Sequence, residues 1–314
     1  MKRRISLLPI IILLAVLVWL NGYVMSGLSV IFPNHSWQNP FIITVILVNL
    51  SFLTALLRLA KSGTDTFFKV AVHAFMTVFV AELVYAIPIF MGDVYRLFAS
   101  ILGYHAANGA FLLNRFPVFS WMGLAASLLI ILSFTHGMIW GKYAYRVIKQ
   151  TLYFDDLPSA FDGFTLAQIS DVHAGSFTNA KSVQKGIDLI KSQNADLFVF
   201  TGDLVNNKAE EIKPWINHFS QIKTNYGQFS ILGNHDYGDY VNWNSELEKA
   251  KNLQTLKKHH QEIGFKLLLD EHIVLEKDGS QIVLAGVENW GKGFGERGDL
   301  EKALNQTKVE DFKI

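Results

Sequence analysis

The sequence predicts an N-terminal all-α transmembrane bundle of about four helices, followed by an α/β domain. Long and nearly uncharged apolar stretches fill the first half of the 314 residues. From Gln150 onward, short apolar runs alternate with polar segments of helical character. We therefore expect two domains, a transmembrane domain of residues 1–149 and a second domain of residues 150–314.

The composition excludes several classes of protein. Half of the residues are hydrophobic, which is too many for one ordinary soluble domain. Nine Lys or Arg and three Asp or Glu precede Tyr145, a net charge of +6, and the total of +1 leaves −5 for the remainder. An acidic second half argues against sequence-independent binding of nucleic acid, which needs a basic face. The chain has no cysteine, so disulfides and thiolate metal sites are excluded.

Four apolar stretches are predicted to span a membrane, because each approaches the roughly 20 residues that cross a hydrocarbon core about 30 Å thick. The first also resembles a signal peptide, but no clear cleavage site follows it, so an uncleaved helix is preferred. A mixed segment, Tyr95–Phe111, is expected to be interfacial or re-entrant. The predicted spans are Ile5–Leu20, Phe41–Ala60, Phe67–Phe90 and Pro117–Trp140.

Lys and Arg flank these spans unevenly. They precede the first span, lie between the second and third, and follow the fourth, whereas none lies between the first and second. The positive-inside rule then places the N-terminus and everything after Lys142 in the cytoplasm. We expect an integral protein of the cell (inner) membrane, with the lipid bilayer as a partner and the second domain on the cytoplasmic side.

Glu82 lies inside the third predicted span and suggests an alternative function. A carboxyl group at this depth can serve transport or a proton relay, with His73 and His136 as possible partners. A carboxyl that is protonated or hydrogen-bonded inside the bundle explains Glu82 equally well.

The second domain is predicted to alternate strands and helices and then to end in consecutive strands. This order is typical of a layered α/β fold with a mixed sheet, in which ligands bind at the carboxyl ends of the strands. The predicted strands are Phe164–Ser170, Asp196–Thr201, Gly227–Leu232, Phe265–Leu269, His272–Glu276 and Gln281–Gly286; the predicted helices are Ala180–Ser192, Glu210–Ile222 and Ser245–Ile263.

The first three strands each end in polar side chains that suit a metal site. Each cluster alone is more often a turn or a cap, but their conjunction after three apolar strands indicates a shared site. Carboxylate, imidazole and amide oxygen without sulfur favour Mn, Fe, Zn, Co or Ni. The clusters are Asp171-Val172-His173, Gly202-Asp203 and Gly233-Asn234-His235-Asp236.

Each residue type in these clusters has a chemical reason to be there. In extended backbone, residues two apart point the same way, so Asp171 and His173 can aim at one point. A carboxylate such as Asp203 can bridge two ions about 3.5–4 Å apart, which activates water and neutralises charge in phosphoryl displacement. Asn234 offers a neutral oxygen. His235 is expected to act beside the ligands, as an acid or a phosphate contact.

Together the clusters resemble the first three blocks of the calcineurin-like metallophosphoesterase superfamily, and the chain is most similar to its membrane-anchored bacterial members. The resemblance covers about Phe164–Gly291. It implies a four-layer (α/β/β/α) sandwich and a dinuclear centre. It further implies that Asp171 and His173 bind the first metal, Asp203 bridges, Asn234 binds the second metal, His235 is catalytic, and Asp236 is catalytic through orienting its loop.

Two features depart from the pattern of that family. An acidic residue commonly lies three positions after the Gly-Asp aspartate, but here Asn206 occupies that position and cannot be a charged partner for His235. A later histidine and a Gly-His-x-His block are absent, since His259, His260 and His272 lie in a different context. We interpret the sequence as a truncated form of a longer protein whose last residues, Phe312-Lys313-Ile314, begin another strand.

The leading hypothesis is a membrane-anchored phosphoesterase that uses divalent metal ions to hydrolyse a phosphodiester or pyrophosphate. A lipid-linked substrate is attractive because the chain is anchored in the membrane. The alternative is a non-catalytic sensor or scaffold that uses the same fold for binding. No nucleic-acid partner is expected, and the sequence does not indicate an oligomeric state.

Because the later histidines are absent, the 314-residue chain is expected to bind metal weakly and to turn over slowly. Metal analysis and a phosphodiesterase assay on the purified chain check this expectation. Full occupancy by two ions together with rapid turnover would contradict it.

Overall fold

The structure is a computed structural model that describes residues 8–62, 65–108 and 110–314, apart from the side chains of residues 8–10 and 60–62. The chain divides into two compact units, Met1–Lys142 and Tyr143–Ile314. The predicted cationic start, Lys2-Arg3-Arg4, lies outside the described residues, as do residues 5–7 of the first predicted span.

The first unit consists of four helices that are long and apolar enough to cross a membrane. Their order confirms the predicted helical transmembrane bundle. Their bounds are α1, Leu8–Ile31; α2, Gln38–Ser62; α3, Thr66–Ile101; and α4, Pro117–Ile139.

Two helices run well past the predicted ends of their spans. Helix α1 continues to Ile31, well past the predicted end at Leu20. Helix α3 runs without a break through Pro88 to Ile101, so the expectation of a separate interfacial segment from Tyr95 was wrong for its first seven residues. The extension contains Asp93 and Arg96, which lie one turn apart and form an ion pair of 2.6 Å.

Small and polar residues join the helices of this unit. The Ser120 hydroxyl of α4 donates to the Gly27 carbonyl of α1 at 2.9 Å, and the Ser127 hydroxyl donates to the Ala81 carbonyl of α3 at 2.8 Å. Gly123 lies so close to Tyr85 that a Cβ would meet the Tyr85 carbonyl. Close backbone approach at small residues and interhelical hydrogen bonds are how helices associate in lipid.

Glu82 is buried on α3, and among the described residues its Oε1 has no hydrogen-bond partner. The two histidines that were considered as partners lie elsewhere. His73 bonds the Lys69 carbonyl of its own helix, and the His136 ring lies against Trp140. The described contacts therefore give the transport alternative no proton-relay partner for Glu82.

The second unit contains a parallel sheet in the order β1-β2-β3-β4 and a separate antiparallel hairpin, β5-β6. The mixed sheet expected from the order of the elements is thus divided into separate sheets. Asp278 and Gly279 both have positive φ at the hairpin turn, as a two-residue type I′ turn requires. The strands are β1, Leu166–Ile169; β2, Leu197–Phe200; β3, Gln228–Ser230; β4, Lys266–Leu267; β5, Glu271–Lys277; β6, Ser280–Gly286; β7, Trp290–Gly291; and β8, Gly295–Glu296.

Two predicted helices form as expected and a third does not. The buried face of α5 carries Val183 and Ile187, as predicted. The predicted helix Glu210–Ile222 is instead a series of 3₁₀ turns and one short helix, because Pro214 cannot donate a backbone N–H inside a longer helix. The helices are α5, Ala180–Lys191; α6, Ile216–Phe219; α7, Glu246–Ile263; and α8, Leu300–Ala303.

Successive side chains of β2 point into two different cores, and these cores separate the layers of this unit. Phe198 and Phe200 face a core that they share with α5 and α7. Leu197 and Val199 face a second core formed with the β5-β6 hairpin. On the far side of β5, the His272 ring bonds the Ala303 carbonyl of α8 at 2.7 Å. The order helix, sheet, sheet, helix confirms the predicted fold class.

The last residues pair with the hairpin. Phe312 and Ile314 exchange backbone hydrogen bonds of 2.8–2.9 Å with β6, and Lys313 forms a parallel bridge with Val283. Phe312–Ile314 therefore lies beside β6 in the manner of a third strand.

Candidate metal centre

The three predicted clusters meet at the carboxyl edge of the parallel sheet. The backbone N–H groups of Asp171 and His173 donate to the carbonyls of Gly202 and Asp203, each at 3.0 Å. Gly202, at φ +100°, lies against the backbone of Gly233, and a Cβ on Gly233 would collide with the Asp203 carboxylate. Both glycines are required because the second and third loops pass too closely for side chains.

The backbone at this edge adopts a rare conformation. Asp171, His173 and Asp203 have φ of 54°, 45° and 60°, in the left-handed region that residues other than glycine seldom adopt. Such strain is typical of functional sites. The predicted extended geometry of Asp171-Val172-His173 was wrong, although Val172 does turn toward the core.

The structure brings four of the predicted side chains together. Donor atoms of His173, Asp203 and His235 all lie within 4.8 Å of one another. His173 Nε2 is 3.7 Å from Asp203 Oδ2 and 3.8 Å from Asp171 Oδ1. Asp203 is buried, whereas Asp171 is largely exposed at the outer rim. Two imidazoles and two carboxylates fit a borderline divalent ion.

His235 is held by main-chain groups on both sides. Its backbone N–H donates to Asp203 Oδ1 at 2.9 Å. Its ring Nδ1 is 2.7 Å from the Asn206 carbonyl oxygen, which can only accept, so Nδ1 carries the proton and Nε2 keeps its lone pair. An acidic side chain at position 206 was the expected partner of His235, and the backbone carbonyl of Asn206 takes its place.

Tyr240 is a site residue that the sequence analysis missed. Its ring lies 4.5 Å from the His235 ring, and its hydroxyl accepts a 2.7 Å hydrogen bond from the Asn234 amide nitrogen. This bond leaves the amide oxygen of Asn234 as the atom that can meet a cation. The signal available in the sequence was weak, because Tyr240 lies in a loop whose course depends on Asn207, which bonds the Tyr240 backbone N–H.

Asp236 does not join the four side chains that meet at the open site. Its side chain is fully buried, and its oxygens accept backbone N–H bonds from Asp203 and Gly233 at 2.9 Å and from Val205 at 3.2 Å. Burial raises the pKa of Asp236 to about 7, although these N–H groups favour the charged form. Asp236 is therefore placed to position the loops and does not contact the open site.

The remaining histidines that were considered in the sequence lie away from this edge. His260 is buried against Ser230 at 2.9 Å, and burial lowers its pKa to about 3. His259 pairs with Glu262 on the same helix at 2.7 Å. His272 bonds α8. None of the three adds a donor to the described site.

Asp236→Asn is expected to destabilise the folded chain by about 1–3 kcal/mol, because the new amide nitrogen faces a buried backbone donor. Thermal unfolding of the full chain in detergent at pH 8, above the Asp236 pKa, measures the effect. Asp278→Asn is the matched control, since residue 278 is exposed in a turn conformation that Asn tolerates. Equal stabilities for the two variants would contradict the role assigned to Asp236.

Two family models match the chain over separate ranges. Residues 3–142 match a model described as a probable calcineurin-like phosphoesterase, transmembrane domain. Residues 164–307 match the calcineurin-like phosphoesterase model. No solved structure matches the chain at a significant level.

Several curated proteins are similar to this chain. The metallophosphoesterase YkuE of Bacillus subtilis is 33% identical over 172 residues, which cover 54% of each protein. A transmembrane protein with a metallophosphoesterase domain from Danio rerio is 25% identical over 181 residues, 56% of this chain and 39% of that protein. The UDP-2,3-diacylglucosamine pyrophosphatase LpxG of Chlamydia trachomatis is 32% identical over 126 residues, 38% of each.

The matched regions thus span about half or less of each of these relatives. Within this chain, however, the two family models occupy the helical unit and nearly all of the sheet-containing unit. Those are the units in which the structure shows the apolar spans and the site at the sheet edge. The chain belongs to the calcineurin-like phosphoesterase family, in the form that carries a transmembrane domain.

Proposed function

We propose that this protein is a membrane-anchored, metal-dependent hydrolase of a phosphodiester or pyrophosphate, acting through a dinuclear centre. The observation that carries the proposal is the convergence of His173, Asp203 and His235 within 4.8 Å at the carboxyl edge of the sheet. Divalent ions at this position would supply an activated water and neutralise charge on the phosphoryl group.

The residues take distinct roles in this proposal. Asp171 and His173 would hold the first ion, Asp203 would serve as a ligand to both ions, and the amide oxygen of Asn234 would hold the second. His235 would act through Nε2, either as the acid toward the leaving group or as a contact to a phosphate oxygen. Asp236 holds the loops of Asp203 and Asn234 in register and is a positioning residue.

A lipid-linked substrate is the favoured class. The same chain carries four apolar spans, which keep the site at a membrane. The similarity to LpxG, a pyrophosphatase of a diacylated nucleotide sugar by its name, points the same way. Both observations support hydrolysis of a phosphoanhydride or diester whose other end is anchored in the bilayer.

A second candidate function is a non-catalytic sensor or scaffold that uses this fold for binding. It is favoured by the backbone carbonyl that partners His235 in place of a charged side chain. Such a protein would bind a phosphorylated ligand without cleaving it.

Asp203→Asn is expected to reduce hydrolysis of bis-p-nitrophenyl phosphate by about 100-fold or more. Mutation of a residue that only supports a metal ligand costs about 10–100-fold, and loss of a ligand itself should cost more. The full chain is assayed with saturating Mn²⁺, and Mn²⁺ binding is measured in parallel. The Asn side chain can still accept the His235 N–H, so the fold is expected to persist.

Asp188→Asn is the control, because Asp188 is an exposed carboxylate on α5 and remote from the site. A wild-type protein that folds and binds Mn²⁺ but hydrolyses nothing measurable would support the scaffold instead. Full activity in Asp203→Asn would contradict the site assignment.

From the Lys and Arg bias we further propose that the bundle lies in the inner membrane and that the sheet-containing unit faces the cytoplasm. Because the chain has no cysteine, single-cysteine variants report each side cleanly. Asn114→Cys, between α3 and α4, is expected to react with a membrane-impermeant maleimide on intact cells. Asp278→Cys is expected to react only after lysis, and the reverse pattern would invert the topology.

A further inference from the structure

Four polar residues form a compact cluster at one end of the membrane unit. Asp93 Oδ1 accepts from Arg96 at 2.6 Å and from Arg115 Nε at 2.9 Å, while Oδ2 accepts from Arg115 NH2 at 2.6 Å. The Tyr23 hydroxyl donates to the same Oδ2 at 2.8 Å, and the Arg115 guanidinium lies 5.2 Å from the Tyr23 ring centre. The cluster joins α1, α3 and the segment that precedes α4.

The charges of this cluster do not balance. Two guanidinium groups share one carboxylate, which leaves a net charge of +1. The side chains of Arg96 and Arg115 are only 14% and 20% exposed, so water screens this charge poorly. A partly desolvated charge of this kind attracts a counter-ion.

No other acidic residue of the described membrane unit can supply that counter-charge. Between residues 8 and 142 the sequence contains two more acids, Asp65 and Glu82. Asp65 pairs with Arg58 at 3.0 Å. Glu82 lies eleven residues before Asp93 on the same helix, which is about 16 Å along its axis.

The length of α3 indicates the depth of the cluster in a bilayer. Asp93 lies 27 residues after Thr66, so the two are about 40 Å apart along the helix, more than the roughly 30 Å hydrocarbon core. Arg115 lies two residues before the start of α4. With Thr66 at one surface of the membrane, Asp93 and Arg115 reach the level of the lipid headgroups at the other surface.

Aromatic residues at the same end of the bundle agree with this depth. Phe32 follows α1, Trp37 precedes α2 and Trp121 lies in the first turns of α4, and their rings lie 5.8–6.5 Å apart in contacting pairs. Tyr95 packs on Phe116 at 5.7 Å. Aromatic side chains in such a belt mark the boundary between hydrocarbon and water.

We propose that the cluster of Tyr23, Asp93, Arg96 and Arg115 is a binding site for the phosphate of an anionic phospholipid. Each of the three nitrogens of Arg115 already makes one hydrogen bond, since NH1 donates to the Ser26 hydroxyl at 2.6 Å. Arg96 donates from NH1 to Asp93 and from Nε to the Leu113 carbonyl. Its NH2 group is left to donate to the phosphate. The surplus charge then selects lipids of net negative charge over zwitterionic lipids.

The test uses the full chain in a neutral detergent and follows its thermal unfolding as lipid is added. Phosphatidylglycerol is expected to raise the unfolding temperature of the wild type more than phosphatidylcholine does. Arg96→Gln removes the surplus charge and is expected to lower the apparent affinity for phosphatidylglycerol by about fivefold, the factor that corresponds to one cationic side chain near a lipid surface.

Two variants control the interpretation. Arg58→Gln removes an arginine from the balanced pair with Asp65 and is expected to keep the wild-type response to lipid. Arg96→Lys retains the charge and is also expected to keep it. A wild-type response in Arg96→Gln, equal responses of the wild type to both lipids, or an equal effect of inorganic phosphate would each overturn the proposal. If Arg96→Gln does not fold, Arg96→Lys and the lipid selectivity of the wild type decide the question.

Discussion

Three backbone N–H groups that converge on the buried carboxylate of Asp236 hold the candidate site together. They come from two loops that follow neighbouring strands, and one oxygen of Asp236 takes donors from both loops. A charged acceptor in a dry environment makes stronger hydrogen bonds than a neutral one. The position of Asp203 on one loop and of Asn234 and His235 on the other depends on this tie.

Main-chain groups hold several side chains of the site in place. The Asn206 carbonyl sets the proton on His235 Nδ1, and the His235 N–H in turn holds an oxygen of Asp203. Backbone partners of this kind do not require a particular side chain at position 206. The hydrogen bond expected from a carboxylate at that position is therefore made by the backbone, without the negative charge.

Polar groups of the membrane unit lie mainly at contacts between helices and near helix ends. Ser120 and Ser127 bond backbone carbonyls between helices, and most charged residues of the described part lie near helix ends. Glu82 is the exception, a buried carboxyl within a span. The Asp93 cluster differs from both, because its side chains pair with one another and still leave one positive charge at an interface where phosphates are abundant.

Strand ends, spans and most helices follow from local patterns that a sequence displays directly. Long uncharged runs predicted the bundle. The alternation of short apolar runs with helical segments predicted the α/β domain and the edge at which Asp171, His173, Asp203, Asn234 and His235 lie. The predicted element bounds were wrong where a tertiary contact or a single residue overrode the local pattern. Helix α3 continues through Asp93 and Arg96, past the predicted end of its span, and Pro214 divides the helix that was predicted over Glu210–Ile222.

The residue types of the site and their order were determined by the sequence itself, because each cluster follows an apolar strand. Only the tertiary structure decided how they are held. The left-handed turns at Asp171 and His173, the backbone partner of His235, the burial of Asp236 and the place of Tyr240 all depend on contacts between loops. Asp203 and Asp236, for example, are joined across 33 positions of the chain, and no local pattern reports a contact at that separation.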